Sequence, residues 1–296
     1  MSKHINVKFS GRAECGRKRC TSKRDDRGLQ RIVKQKRFNN LAEIHKEWSE
    51  AGVTASKITT FRRIREMGYN SRVPRVKPLL TLKQRRKRLN WAKEKKDWTV
   101  GQWSKVLFSD ESKVCLSLRN QGPMVWRKTG EEQNPSCLRS SVKYPQSVMI
   151  WGAMSSAGVG KLCFLKSKVN ATVYQNVLED FMIPSVEDLY GDADFIFQQD
   201  LAPAHTARST KTWFDAHAIT VLDWPANSPD LNPIENLWGI VKRKMRDTRP
   251  KNKEELTASI KDIWASITPR QCHRLISSMP RRIEAVIKAK GFPTKY

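Results

Sequence analysis

The sequence is poor in the features that build metal–thiolate, secreted or membrane proteins. Its six cysteines, Cys15, Cys20, Cys115, Cys137, Cys163 and Cys272, form no C-x-x-C pair and no Cys/His spacing of the kind a zinc site uses. The pattern points to reduced thiols in an intracellular compartment and away from a disulfide framework. Long apolar runs are missing too. The best, Val148–Met154, is strand-sized and interrupted by Gly152, against the roughly 18 residues of a membrane span. The opening MSKHINVKFSGR lacks the apolar core of a secretory signal. Negative charge is scarce: Asp and Glu number 29 against 56 Lys and Arg, a formal net charge of +27. That excess implies a polyanionic partner.

Apolar residues are well represented. They make up 39% of 296 residues and include ten Trp and ten Phe, enough for folded cores in roughly two domains. The positive charge is front-loaded, with 29 basic and 9 acidic side chains in residues 1–100 and 27 and 20 in the remainder. A nucleic-acid-binding protein of the nucleus or cytosol fits these constraints.

Residues 25–68 read as three helices. Leu29, Ile32 and Val33 mark the first; Leu41, Ile44 and Trp48 mark a second capped by Asn40 and ended by Gly52; Ile58, Phe61 and Ile64 mark a third that opens near Ser56 and stops at Gly68. The third shows Lys57, Thr60, Arg62, Arg63 and Arg65 away from its apolar stripe, as the recognition helix of a helix-turn-helix does. A small helical bundle with a solvated basic face has the same pattern. Gly16-Arg17-Lys18-Arg19 is short enough to be a solvated linker or a basic arm for the minor groove. The prolines of residues 73–78 break any helix there and read as an interdomain linker. Lys83, Arg85, Arg86, Lys87 and Arg88 follow on a helical run, suited to phosphates, to nuclear import or simply to solvent.

From about Lys105 the texture becomes β-type. Lys105–Leu118, Met124–Arg127, Ser147–Met154 and Lys161–Leu165 read as consecutive strands. A helix over Ala171–Tyr190, a strand Phe195–Asp200, a helix Arg208–His217, a strand Ile219–Asp223 and a helix from Pro233 to about Arg246 come next. Asn252 and Glu255 form a capping box for the helical tail. Antiparallel strands followed by strand–helix–strand–helix is the order of a ribonuclease-H-like α/β domain with a mixed sheet.

Three acids stand out in that order. The period-2 rule places Asp110 with Val106 and Phe108 and sends Glu111 to the opposite face. Asp200 ends an apolar strand, where α/β sheets place ligand groups. Glu235 opens a helix after Asn232 and Pro233, although Asn-x-x-Glu is also a capping box that needs no catalysis. Three clustered carboxylates in a protein built to grip DNA suit two Mg²⁺ ions that clamp the oxygens of a phosphoryl transfer. Trp224 and Trp238 read as core.

The strings FSDES (108–112), FQQDLAPAH (197–205) and DWPANSPDLNPIENLWGIVKRKM (223–245), with 89 and 34 residues between the acids, resemble the DDE catalytic domain of Tc/mariner superfamily transposases, and the second interval is similar to the Tc branch. The resemblance runs over about residues 21–296. It implies a basic linker over 1–20, a helix-turn-helix domain over 21–72, a basic linker with a helix over 73–104 and a ribonuclease-H-like catalytic domain over 105–296. By the same resemblance Asp110, Asp200 and Glu235 are catalytic and bind two Mg²⁺, for which Mn²⁺ substitutes. Arg17, Lys18, Arg19, Lys57, Thr60, Arg62, Arg63 and Arg65 are expected on DNA, and His205 is a possible accessory residue, either steadying the Asp200 loop or a phosphate, or capping the next helix.

The implied reaction is cut-and-paste transposition: cleavage of double-stranded DNA at terminal inverted repeats and joining to TA targets, in the nucleus, by a homo-oligomer on DNA and with no membrane involved. Two departures qualify it. Such transposases begin with a first helix-turn-helix that this chain is expected to lack, and Leu201 stands where many relatives carry Asn. A transposase-derived, non-enzymatic DNA-binding protein is the competing expectation.

Overall fold

The computed structural model describes residues 19–74, 77–116, 146–166, 168–248 and 250–296. It divides at residue 76 into two compact units. The expected strand Met124–Arg127 and the residues Arg17 and Lys18 lie outside the described residues.

In the first unit, helices α1 (Lys23–Gln35), α2 (Leu41–Glu50) and α3 (Lys57–Glu66) follow the expected order. Ser22 with Asp25 and Asn40 with Glu43 close capping boxes, and Ser56 caps α3, each satisfying amides that the first turn of a helix leaves free. Leu29, Ile32, Val33, Ile44 and Trp48 form the core. The Trp48 indole donates to the Asp25 carbonyl at 3.0 Å, so even its polar atom is satisfied.

The face of α3 differs from the one the apolar pattern suggested. Ile58 is 62% and Phe61 45% exposed, whereas Thr60 is fully buried. The Thr60 hydroxyl meets His45 Nδ1 at 2.9 Å and reaches back to the Ser56 carbonyl. A short hydroxyl side chain lets α3 sit close to α2, and this places Thr60 out of reach of a duplex. Arg63 is also turned inward: its side chain is 13% exposed and bonds Thr21 and both oxygens of Glu66. Its expected place on DNA is therefore replaced by a place in the fold.

The second unit is built on a mixed sheet. Strands β1 (Val106–Cys115), β2 (Ser147–Ser155), β3 (Gly158–Val159), β4 (Cys163–Leu165) and β5 (Ile196–Gln198) are arranged β3-β2-β1-β5, with β4 also on β2. β1 is antiparallel to β2 and parallel to β5. The expected strand Ile219–Asp223 contracts to a single parallel bridge, Phe197 to Val221.

Strand alternation sorts side chains into two cores. Val106, Phe108, Ile150 and Met154 face one, under helices α4 (Leu82–Glu94), α5 (Val100–Ser104) and α10 (Ile234–Thr248) through α13 (Met279–Lys288); Leu107, Trp151, Ala153 and Phe197 face the other, under α6 (Ala171–Val177), α7 (Ile183–Tyr190) and α9 (Arg208–Ala216). α6 and α7 are continuous through a π-helical turn, Leu178–Met182. A short α8 (Pro203–Thr206) precedes α9, and α11 (Lys253–Ala265) and α12 (Pro269–Ile276) lie between α10 and α13. The α11 cap is only half the expected box. Asn252 accepts from the Glu255 amide, but the Glu255 carboxylate bonds the Lys251 amide instead of that of Asn252.

α4 sits inside this unit, packed on α13, with Arg88, Trp91 and Ala92 buried. That part of the expected linker is thus core-bearing structure. No helix among the described residues is long and apolar enough to cross a membrane.

Candidate active site

Asp110, Asp200 and Glu235 line one cleft of about 400 Å³, together with Leu201, Trp224, Asn227 and Asn232. Three elements deliver them. β1 carries Asp110 on the Phe108 face; the end of β5 releases Asp200; and α10 begins one residue before Glu235.

These elements are fastened together next to the acids. The Ser109 hydroxyl donates to the Gln198 carbonyl at 2.8 Å, tying β1 to β5. The Asn232 amide donates to the Ser109 carbonyl at 3.1 Å, while its Oδ1 accepts from the Ile234 amide. One side chain thereby caps α10 and pins its start to the strand beside Asp110.

Asp110 is the most perturbed of the three acids. Burial, then the charges of Glu235 and Glu111, push its carboxyl up to about 8, because a charge is poorly stabilised both in a dry site and beside its own kind. The Trp238 indole donates to Asp110 Oδ2 at 3.1 Å. Burial also raises Glu235, with Lys242 opposing. Burial works to raise Asp200 as well, yet hydrogen bonds from His205 and from the Ala202 amide outweigh it and hold the carboxyl below its ordinary value.

His205 is buried, and its ring stacks on Tyr174 with centroids 3.8 Å apart. Nδ1 lies 2.6 Å from Asp200 Oδ1 and Nε2 lies 3.4 Å from Glu111 Oε1. Burial lowers the imidazole and the two carboxylates more than reverse this, to about 9, which favours the protonated ring. It bridges the second acid to Glu111 on the far face of β1. Tyr174 in turn donates to Gln199 Oε1 at 2.7 Å.

Among the described residues, no three Asp, Glu, His or Cys side chains converge closely enough to hold one ion as they stand. The donor set itself is all carboxylate oxygen, the chemistry that hard divalent cations take. An ion would supply the attraction that the acids lack.

Sequence reasoning missed Trp238, Glu111 and Tyr174 as neighbours of the acids. Trp238 had a signal, since it follows Glu235 by three residues and so shares its helix face. Tyr174 and Glu111 had none, because only the fold brings them to His205. Trp224 and Trp238 are buried in the core under α10. Of the residues expected on DNA, Lys57, Arg62 and Arg65 are exposed on α3, and Arg19 pairs with Asp26 and Glu66.

Residues 105–257 match the family described as DDE superfamily endonuclease, and residues 26–97 match a family described as transposase. The chain is 39% identical to the Tcb2 transposase of Caenorhabditis briggsae over 82% of its own length and 89% of that protein's. It is 38% identical to the Tc1 transposase of Caenorhabditis elegans, over 81% and 88%, and 35% identical to that organism's Tc3 transposase, over 98% and 86%. Its fold is similar to that of the Mos1 transposase in a paired-end complex with the left transposon end, with a TM-score of 0.81, 20% identity and coverage of 99% of this chain and 84% of that one. With the ribonuclease-H-like order of its strands, its triad of acids and this similarity, the chain belongs to the Tc1/mariner family of DDE transposases.

Proposed function

We propose that this chain cuts DNA at the ends of a transposable element and joins the freed 3′-hydroxyls to TA target DNA, with Asp110, Asp200 and Glu235 holding two divalent cations, Mg²⁺ or Mn²⁺. The observation that carries this reading is that carboxylates from three separate elements line one cleft, where burial, and after it the charges of neighbouring acids, push Asp110 to about 8. When bound, such ions polarise the reacting phosphate and activate the attacking oxygen. The protein's part is positional. Trp238 fixes one oxygen of Asp110, His205 and the Ala202 amide hold Oδ1 of Asp200, and Asn232 sets the start of α10.

The DNA-binding part of the reading rests on α3, whose exposed face carries Lys57, Ile58, Phe61, Arg62 and Arg65. Guanidinium groups suit phosphates and guanine edges, and exposed apolar side chains suit thymine methyls in a major groove. The proposed substrates are double-stranded terminal inverted repeats, bound by more than one copy of the chain in the nucleus. The paired-end complexes of Mos1 transposase support that arrangement.

The test is Asp200→Asn in the full chain. Strand cleavage with Mg²⁺ or Mn²⁺ is lost while duplex binding is retained. Equal loss of both makes Asp200 structural. A parent chain that binds DNA and cleaves with neither ion returns the protein to the non-enzymatic reading.

A further inference from the structure

Glu235 lies at the very start of its helix, where a chain frays most easily, and it reaches that helix through a loop rich in proline, residues 225–233. Something must hold that loop. Asp230, at its centre, is 6% exposed and accepts four hydrogen bonds. Arg88 on α4 binds it through two parallel contacts, Nη1 to Oδ1 at 2.9 Å and Nη2 to Oδ2 at 2.8 Å. The backbone amide and hydroxyl of Thr294 both donate to Oδ2, at 2.8 and 2.9 Å.

The hold continues on the other side of the loop. Arg282 on α13 donates to the Asp230 carbonyl at 2.8 Å and also bonds the Asn236 side chain, immediately after Glu235. Arg88 Nε takes the Gly291 carbonyl at 3.1 Å. Gly291 has φ +81° and passes so close to α4 that a Cβ there would collide with the Arg85 carbonyl oxygen. The tail is therefore seated by backbone fit as well as by hydrogen bonds.

We propose that Asp230 is a positioning residue: clasped by Arg88 from α4 and Thr294 from the C-terminal segment, it fixes the loop and first turn that aim Glu235 into the cleft. Isolated buried ion pairs are poor sources of net stability, because desolvation cancels most of the attraction. Their better use is to specify one geometry, and here the geometry specified is that of the segment bearing the third acid. The inference rests on the transposase reading only for its catalytic consequence. Its structural core is independent of any metal or DNA.

The experiment uses the full chain with two variants of graded severity. Asp230→Asn leaves Arg88 facing a neutral group and risks misfolding. Thr294→Val removes one hydroxyl at almost constant volume and serves where the first fails to fold. Amide hydrogen exchange is followed at residues 231–236 and, as an internal reference, along β1. Thr294→Val is expected to speed exchange at 231–236 by about tenfold, the change in a local opening equilibrium when one hydrogen bond of ordinary strength is lost, with β1 unchanged.

In the same variant kcat for strand cleavage falls while KM for DNA holds. A core substitution of matched stability loss, Ile263→Val, leaves both readouts at 231–236 and in cleavage as in the parent. Unchanged exchange at 231–236, or exchange that rises equally along β1, overturns the proposal. So does faster exchange at 231–236 with an unaltered kcat. A parent chain that does not cleave refutes the transposase reading instead, and exchange at 231–236 then decides the clasp on its own.

Discussion

The substitution Gly152→Ala isolates the packing that supports Asp110. In the β1–β2 register Gly152 lies directly opposite Asp110, and a Cβ at that position would stand 2.9 Å from the ring edges of both Trp238 and Trp264. Neither ring has room to retreat. They stack with centroids 5.0 Å apart, are 1% and 5% exposed, and are anchored by indole bonds to Asp110 and to the Gly160 carbonyl. A contact under 3.0 Å on rigid rings is resolved by strain, and one methyl forced into a packed core costs about 1–3 kcal/mol.

For a unit of this size each kcal/mol lowers the melting temperature by about 2–4 °C, so a fall of about 4–8 °C is expected for a cost near the middle of that range. Thermal unfolding of the full chain measures it. Strand cleavage falls by more than the loss of folded protein at the assay temperature, because the displaced indole is the one bonded to Asp110. A Gly152→Ala chain that melts within about 1 °C of the parent and cleaves at the parent rate refutes the reasoning, since it means that the two rings yield freely.

Three other outcomes follow from the geometry. Arg62→Ala is expected to weaken duplex binding to all sequences alike and to reduce the slope of log K against log salt by about 0.9, one phosphate contact. Arg63→Ala, at the neighbouring basic position but with the side chain turned inward, leaves that slope intact and lowers the melting temperature of the first unit, because it breaks the bonds to Thr21 and Glu66. Acid unfolding should report Asp230: burial raises its carboxyl, but Arg88 and Thr294 outweigh burial and hold it below the ordinary value. A depressed native carboxyl contributes stability that is complete above its unfolded pKa and is lost as pH falls through its native one, so Thr294→Val flattens the fall of melting temperature below about pH 4, and an unaltered acid profile counts against the clasp.

Local signals carried much of the fold and all three acids. Capping residues such as Asn40 and Ser56, glycines at the ends of α2 and α3, and alternation around Asp110 each act over a few residues and are visible in the chain. What escaped depends on distant partners or on close packing. The face of α3 was misjudged because Ile58 and Phe61 look like core residues by type, whereas the small Thr60 allows α3 to approach α2. Arg88 read as one more surface cation in a basic run; its partner Asp230 is 142 residues away. Ile219–Asp223 has the composition of a strand but forms only a single parallel bridge, Val221 to Phe197, on the edge of β5 away from β1. His205 left three readings open, steadying the Asp200 loop, holding a phosphate or capping the next helix, and that helix has no side-chain cap. The burial of His205 against Tyr174, between Asp200 and Glu111, puts the ring on the loop.

The mixed sheet also dictates an order of assembly. β1 is its central strand, flanked on one side by β2 and on the other by β5, whose first residue comes 81 residues after the last of β1. A chain emerging from the ribosome therefore carries an open, apolar strand edge until Ile196–Gln198 is made, and parallel pairing across that separation is slow because the loop must close before any contact rewards it. Exposed strand edges of this kind invite association with other chains. Expression of the second unit is consequently most vulnerable to aggregation in fragments that stop between β4 and β5, and a chaperone or a lower growth temperature should help those fragments most.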